Sequence, residues 1–273
     1  MTAQLTQRLV AVDIGNSHLS VMVFCRDEKG SLSAERDSSL ALKHEEVPGP
    51  CWEQFVADWS GDGELHWFLS SVHRPQEALL VAWLNQHRPG DVVVVLAYDH
   101  LPLCLDVDHP EQVGMDRLLA GVAVNQLRRE GIPAIVVDCG SAITCDVISP
   151  TGVFLGGAIL PGWHLAAGVL ANQTDQLPYI EQPVSSGDVI GKSTQAAISS
   201  GIYWGSLGAL KELVSRMSAT FSEAPQKFLT GSGVLWRQEC LQEGFQEVND
   251  LVLTGTALAG AYWLSRRCSS QDD

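Results

Sequence analysis

The chain has 273 residues, 45% hydrophobic and 18% charged, with 17 basic against 32 acidic side chains and a formal charge of −15. That composition is globular, with apolar material for two domains of ordinary size. An acidic surface repels phosphate backbones, which argues against a nucleic-acid partner.

The polar opening Met1–Arg8 lacks the apolar core of an export signal, and no apolar run reaches the roughly 20 residues of a membrane helix. Leu9–Gly15 is an apolar strand running into Asp13-Ile14-Gly15-Asn16-Ser17, and Leu19–Cys25 alternates as a returning strand, so the chain opens with a β-hairpin. Asp27–Gly30 is the next turn, Ser31–Pro50 a further strand with its connections, and Trp52–Trp59 a helix. His66–Ser71 and Asp91–Leu96 read as buried strands. Glu77–Gln86 between them is helical through Leu79, Leu80, Trp83 and Leu84, which makes a βαβ arrangement. After Pro110, Gly114-Met115-Asp116-Arg117 opens an apolar helix through Ala120, Val124 and Leu127 that stops near Arg129–Gly131. Ile132–Asp138 is a second apolar strand that ends in an acid. Gly152–Gly168 is glycine-rich, which means tight turns or close backbone approaches. Ser193–Met217 is a long helix, Phe228–Thr230 a short strand leading into Thr-Gly-Ser-Gly, and Leu251–Ser265 a final apolar helix.

One pattern recurs. A-V-D-I-G-N-S and V-V-D-C-G-S-A-I-T-C-D-V-I-S both read strand, Asp, one residue, Gly, a small hydroxyl residue, returning strand; the second is tighter by one residue. Two such hairpins about half a chain apart imply a duplicated α/β unit, with the boundary near Arg117. Asp-x-Gly alone is ordinary turn chemistry. Glycine also lets a backbone approach a ligand, and adjacent amides make an anion nest. An aspartate in such a loop has the wrong sign for phosphate, and makes sense if it holds a cation: Mg²⁺ is usually bound through one or two carboxylates plus substrate phosphates. Asp13 and Asp138 would thus serve a nucleoside triphosphate and its cations.

Asp116 and Arg117 stand side by side at a helix mouth, where an acid is common for reasons of the helix dipole alone. Set between two phosphate loops, Asp116 could take the proton of a substrate hydroxyl and Arg117 could hold an anionic substrate group. Phosphoryl transfer needs mainly positioning, charge neutralisation and an oriented nucleophile. Gly187–Ser193, G-D-V-I-G-K-S, has three residues between its glycines where the Walker phosphate loop needs four. The eight histidines show no metal spacing, and His18 and His164, though inside motifs, read as structural. Seven dispersed cysteines without Cys-x-x-Cys pairs read as reduced thiols, which with the absent export signal places the protein in the cytoplasm.

D-I-G-N-S, G-M-D-R, D-C-G-S-A-I-T-C-D, G-G-A-I-L-P-G and I-G-K-S-T, in that order, resemble type III pantothenate kinase over about Val10–Leu258. That family belongs to the acetate and sugar kinase, Hsc70 and actin superfamily. The resemblance implies an α/β protein of two duplicated ribonuclease-H-like (actin-like ATPase) domains, here 1–117 and 118–273, with an ATP cleft between them. It implies phosphorylation of pantothenate by Mg²⁺-ATP, the first step of coenzyme A synthesis, by a homodimer. The ATP-binding residues would be Asp13, Ile14, Gly15, Asn16, Ser17, His18, Leu19, Ser20 and, in the second half, Ser141. Gly114, Met115, Asp116, Arg117 and Thr194 would bind pantothenate, with Asp116 the proton acceptor. Asp138 would sit at a monovalent cation, K⁺ or NH₄⁺. The chain departs from the family at Ser17 and Ser141, where threonine is usual; at Ser20, where lysine is frequent; and at Val107, where a tyrosine commonly precedes G-x-D-R. A regulatory protein on the same scaffold, and a kinase or phosphatase acting on another small alcohol or polyphosphate, are the alternatives.

Overall fold

The computed structural model describes residues 7–27, 29–60, 63–182 and 189–269, and these group into two units. The first comprises residues up to Leu103, Asp108–Gln126 and the chain from Leu251 onward; the second comprises Cys104–Val107 and Leu127–Asp250.

In the first unit, β1 (Gln7–Ile14), β2 (His18–Arg26) and β3 (Leu32–Lys43) form an antiparallel meander, followed by α1 (Pro50–Ser60), β4 (His66–Ser71), α2 (Arg74–His87) and β5 (Val92–Val95). The strand order is β3-β2-β1-β4-β5, with β4 parallel to both β1 and β5. β1 reads as a continuous apolar run because Leu9, Val10, Ala11 and Val12 are all buried, the signature of a central strand covered on both faces. Val10, Val12 and Ile14 pack with Trp52 and Phe55 of α1 and Leu80 and Leu84 of α2. Trp52 sits 5.8 Å from Trp67 and 5.9 Å from Trp83, ring centre to ring centre.

The chain then passes through β6 (Cys104–Leu105) and α3 (Met115–Leu127), whose stretch Leu118–Val124 is buried throughout. The last helix, α7 (Leu251–Ser269), returns to this unit and lies against β1. Its glycines let it come close: Gly255 faces the Leu119 carbonyl of α3, and a side-chain carbon at Gly260 would run into the Phe68 ring.

The second unit repeats the first. β7 (Ala134–Cys139), β8 (Ala142–Ile148) and β9 (Val153–Pro161) are an antiparallel meander, followed by α4 (Trp163–Asn172), α5 (Thr194–Ser218), β10 (Gln226–Thr230), α6 (Arg237–Gln242) and β11 (Phe245–Glu247), before α7 (Leu251–Ser269). The order is β11-β10-β7-β8-β9, extended by β6 on the outer side of β9; β10 is parallel to β7 and β11. Order and direction match the first sheet strand for strand, so the expected duplication of a ribonuclease-H-like unit is present. α5 covers one face with Tyr203, Leu207, Leu210 and Val214, against Ile135, Val137, Cys145 and Leu229. The Tyr203 hydroxyl donates to Glu239 at 2.6 Å and burial pushes its pKa up to about 12, so it stays a donor tying α6 to α5.

Two readings of the sequence change. Asp91–Leu96 is not a buried strand: β5 ends the sheet, Val92–Val94 are only half-buried and Val95 is exposed, since an edge strand has one ladder partner. Leu79 on α2 is also exposed, leaving Leu80 and Leu84 as the inward stripe. The glycine-rich stretch after Gly152 carries β9 and α4, and the close backbone approaches expected of it are present: Gly157 faces the Cys145 carbonyl of β8, and Gly162 the carbonyls of Gly140 and Ser141.

One acid ties the first unit together. Asp91, its side chain 2% exposed, accepts two bonds from the Arg88 guanidinium at 2.8 Å, one from the Trp67 indole at 2.8 Å and one from the Leu65 amide at 3.1 Å. Burial pushes its pKa up, but the hydrogen bonds from Arg88, Trp67 and Leu65 overcome this and hold the carboxyl below its ordinary value. A carboxyl lowered by folding stabilises the native state above its unfolded pKa of about 3.9 and loses that contribution as pH falls through the folded value. Asp91→Asn is therefore expected to cost about 1–3 kcal/mol at neutral pH. In urea unfolding, the gap from the parent protein narrows below about pH 4; a gap that stays constant down to about pH 3 contradicts this account.

Candidate active site

Strand β1 ends where its flanking partners also carry hydroxyls. Asp13 pairs in register with Ser20 on β2 and with Ser70 on β4. Ser70 is fully buried and donates to Asp13 Oδ1 at 3.0 Å. The Gly15 amide donates to the His18 carbonyl at 2.9 Å, closing the turn, and the Ile14 carbonyl accepts from the Val72 amide at 3.0 Å. The glycine amide is thus engaged within the loop, and Asn16, Ser17 and His18 are its exposed residues. Ile14 and Leu19 bury their side chains completely and leave only backbone to the loop.

The second loop has the same construction, one residue shorter. Asp138 pairs with Thr144 on β8 and Thr230 on β10, the Gly140 amide donates to the Ala142 carbonyl at 2.9 Å, and Ser141 is exposed. Glycines from two further segments close around it. Gly162, which caps α4, donates from its amide to the Ser141 carbonyl at 3.1 Å, and Gly233 donates to the Cys139 carbonyl at 2.8 Å. Gly231 adopts φ +97°, and a side-chain carbon there would lie 2.6 Å from both Asp138 Oδ1 and the Cys139 amide nitrogen. Only glycine fits that position. Burial, and then the adjacent Asp138, push the Cys139 thiol up, so it is a protonated core side chain and not a nucleophile.

The third motif starts α3. The Gly114 carbonyl accepts from the Leu118 amide at 3.3 Å, and Asp116 sits in the first helical turn with Oδ1 accepting from the Arg117 amide at 2.8 Å. The Asp116 carboxylate lies over the Gly114 α-carbon, in the space any side chain at 114 would occupy. Met115, Asp116 and Arg117 are half-buried, and the buried helix behind them gives a fixed mounting. Thr194 is exposed at the start of α5, whose cap is the Ser193 hydroxyl accepting from the Ala196 amide at 3.2 Å; Gly191 packs on that first turn. Gly187 and Asp188 of the G-D-V-I-G-K-S stretch lie outside the described residues. Val107 packs against Gly156, which adopts φ +85°. The His164 ring meets the Tyr179 hydroxyl at 2.9 Å.

Among the expected site residues, the Asp13–Ser20 loop and Gly114–Arg117 belong to the first unit, and Asp138, Ser141 and Thr194 to the second. Sequence reasoning passed over Ser70, Thr230 and Gly231. A signal was there: β4 contains Phe68-Leu69-Ser70 and β10 contains Phe228-Leu229-Thr230, in the same register to the aspartate strand.

Two copies of one five-stranded unit, each ending its central strand in Asp-x-Gly and an exposed hydroxyl, define an α/β protein of two duplicated ribonuclease-H-like units, the actin-like ATPase fold. The match with known sequences is narrower: residues 9–216 match the type III pantothenate kinase family, and the chain belongs to that family. The type III pantothenate kinase of Legionella pneumophila (strain Paris) is 37% identical over 262 residues, covering 92% of this chain and 97% of the relative. That of Dehalococcoides mccartyi (strain CBDB1) is 30% identical over 239 residues, covering 83% and 85%. The fold is also that of a Campylobacter jejuni protein described as a Baf family transcriptional activator, at TM-score 0.55 and 20% identity over 96% of this chain and 99% of the other.

The Asp116–Gly114 contact gives a direct expectation. Gly114→Ala forces the carboxylate aside, and a misplacement of about 1 Å costs roughly 100-fold in turnover. The melting temperature moves by no more than about 2–4 °C, since only a helix cap changes. Turnover equal to the parent's would show that Asp116 is not needed where Gly114 lets it lie.

Proposed function

We infer that this chain transfers the γ-phosphoryl group of ATP to the primary hydroxyl of pantothenate, giving 4′-phosphopantothenate, the opening step of coenzyme A synthesis. The observation that carries this reading is the carboxylate of Asp116 seated on Gly114 at the head of a buried helix, beside Arg117, in a chain of the type III pantothenate kinase family. Asp116 accepts the proton of the substrate hydroxyl as it attacks, and Arg117 grips the pantothenate carboxylate through its planar fork of donors. Gly114 and Met115 belong to the same substrate-binding turn.

The triphosphate is held by the Asp13–Ser20 loop, and Ser141 is the exposed hydroxyl at the corresponding place in the second loop. Ser20 leaves the first loop without a lysine, so Mg²⁺ brought in with the nucleotide would supply the balancing charge, and Asp13 would be the residue of this loop to hold it. Asp138 and the Cys139 carbonyl beside it are hard oxygen donors, the chemistry that suits K⁺ or NH₄⁺. No helix among the described residues is long and apolar enough to cross a membrane, and we place the activity in the cytoplasm. The chain works as a homodimer. Leu155 and Ile159 of β9 and Leu165 and Val169 of α4 are exposed apolar side chains that such an interface would cover.

ADP release by the purified protein with ATP and Mg²⁺ tests the reading, with and without pantothenate, in potassium and then in sodium buffer. Release that requires both pantothenate and potassium is expected, and Asp116→Asn lowers turnover by about 10²–10⁴-fold while ATP binding persists. Release indifferent to pantothenate would assign the machinery another substrate; no release in either buffer would favour a regulatory protein on this scaffold.

A further inference from the structure

In both units the aspartate that ends the central strand has a buried hydroxyl residue directly beside it on the parallel neighbour. Ser70 stands opposite Asp13 and is fully buried; Thr230 stands opposite Asp138 and is 6% exposed. Each follows a buried Phe-Leu pair, Phe68-Leu69 and Phe228-Leu229. Burying a hydroxyl in such a strand is unfavourable unless it is hydrogen-bonded, and an alanine or valine would fill either position without that cost. The polar residue falls at the one register position that faces the aspartate, in two units whose loops differ in length. For Ser70 the partner is explicit, the 3.0 Å bond to Asp13 Oδ1.

We infer that Ser70 and Thr230 are positioning residues: each unit orients its carboxylate through a hydroxyl supplied by the parallel strand next to it. A hydroxyl bonded to one carboxylate oxygen fixes the plane of the group and the direction in which its other lone pairs point, as partners behind metal-binding carboxylates do. Ser70 then governs the handling of Mg²⁺-ATP through Asp13, and Thr230 that of the monovalent cation through Asp138. This rests on the roles given above to the two aspartates. Ser70 and Thr230 touch no substrate themselves.

The test is a KM-against-kcat comparison on the full-length protein, with melting temperatures measured alongside. Ser70→Ala is expected to lower kcat/KM for Mg²⁺-ATP by about 10–100-fold and to leave the KM for pantothenate in place, with Ser70→Thr restoring most of the loss. Thr230→Val, which keeps the shape and deletes the hydroxyl, raises the K⁺ concentration for half-maximal activity by a similar factor, and Thr230→Ser does not. Asp13→Asn and Asp138→Asn are measured in parallel. If those two are impaired while Ser70→Ala and Thr230→Val behave as the parent, the inference is wrong and the reading of the loops stands. If the aspartate variants are themselves unimpaired, the loop reading falls and takes the inference with it. A loss in Ser70→Ala that Ser70→Thr does not restore, or that strikes both substrates' KM equally, marks a packing role and also overturns it. Should Ser70→Ala fail to fold, Thr230→Val against Thr230→Ser decides alone.

Discussion

A strand buried on both faces has only its end to offer to solvent. β1 and β7 are such strands, with Val10–Val12 and Ile135–Val137 fully inside, so neither can present a functional side chain along its length. The first positions free of that constraint are the last ones, and there the apolar run gives way to Asp13 and Asp138. The flanking strands then decide what surrounds each acid. On each side of each aspartate the partner in register is a hydroxyl residue: Ser20 and Ser70 in one unit, Thr144 and Thr230 in the other. Core and site are therefore one pattern, read first in its buried part and then at its tip.

The meanders, the long helices and the duplication were legible because each is written in local periodicity: an apolar run, a sharp turn and a returning strand repeat twice in recognisable order. The Asp-x-Gly loops were legible for the same reason, as departures from that periodicity. What escaped reading was set by partners far away in the chain. β5 looks like a core strand by composition, and its place at the sheet edge depends on having no neighbour beyond it. Ser70 looks like the end of a strand, and its meaning appears only when β4 is set parallel to β1, 57 residues apart at the bond. A single cut near Arg117 likewise gives no hint that α7, from the far end of the chain, packs on the first sheet.

Glycine does related work at two of the three acids. Gly114 makes room for the Asp116 carboxylate over its own backbone, and Gly231 lets the loop after β10 run against Asp138. In each case the missing side chain is what lets a charged group lie close to backbone in a defined place. This is a different role from the flexible phosphate cradle that glycine-rich sequence first suggests, since the Gly15 and Gly140 amides donate to carbonyls of their own turns. The loops are closed and stiff, and the contact they offer is carried by the residues after the glycine.

That rigidity bears on how a chain of charge −15 can handle an anionic nucleotide. At physiological ionic strength the field of distant surface acids is screened within about 8 Å, so net charge decides little at a loop tip. What counts is local to each tip: one carboxylate, Asp13 in the first unit and Asp138 in the second, with a hydroxyl residue in register on either side. A carboxylate repels a bare triphosphate and tolerates one that arrives with its cations. Ser20, in register with Asp13, brings a hydroxyl and no charge to that tip, so the balance there rests on charge carried in from outside.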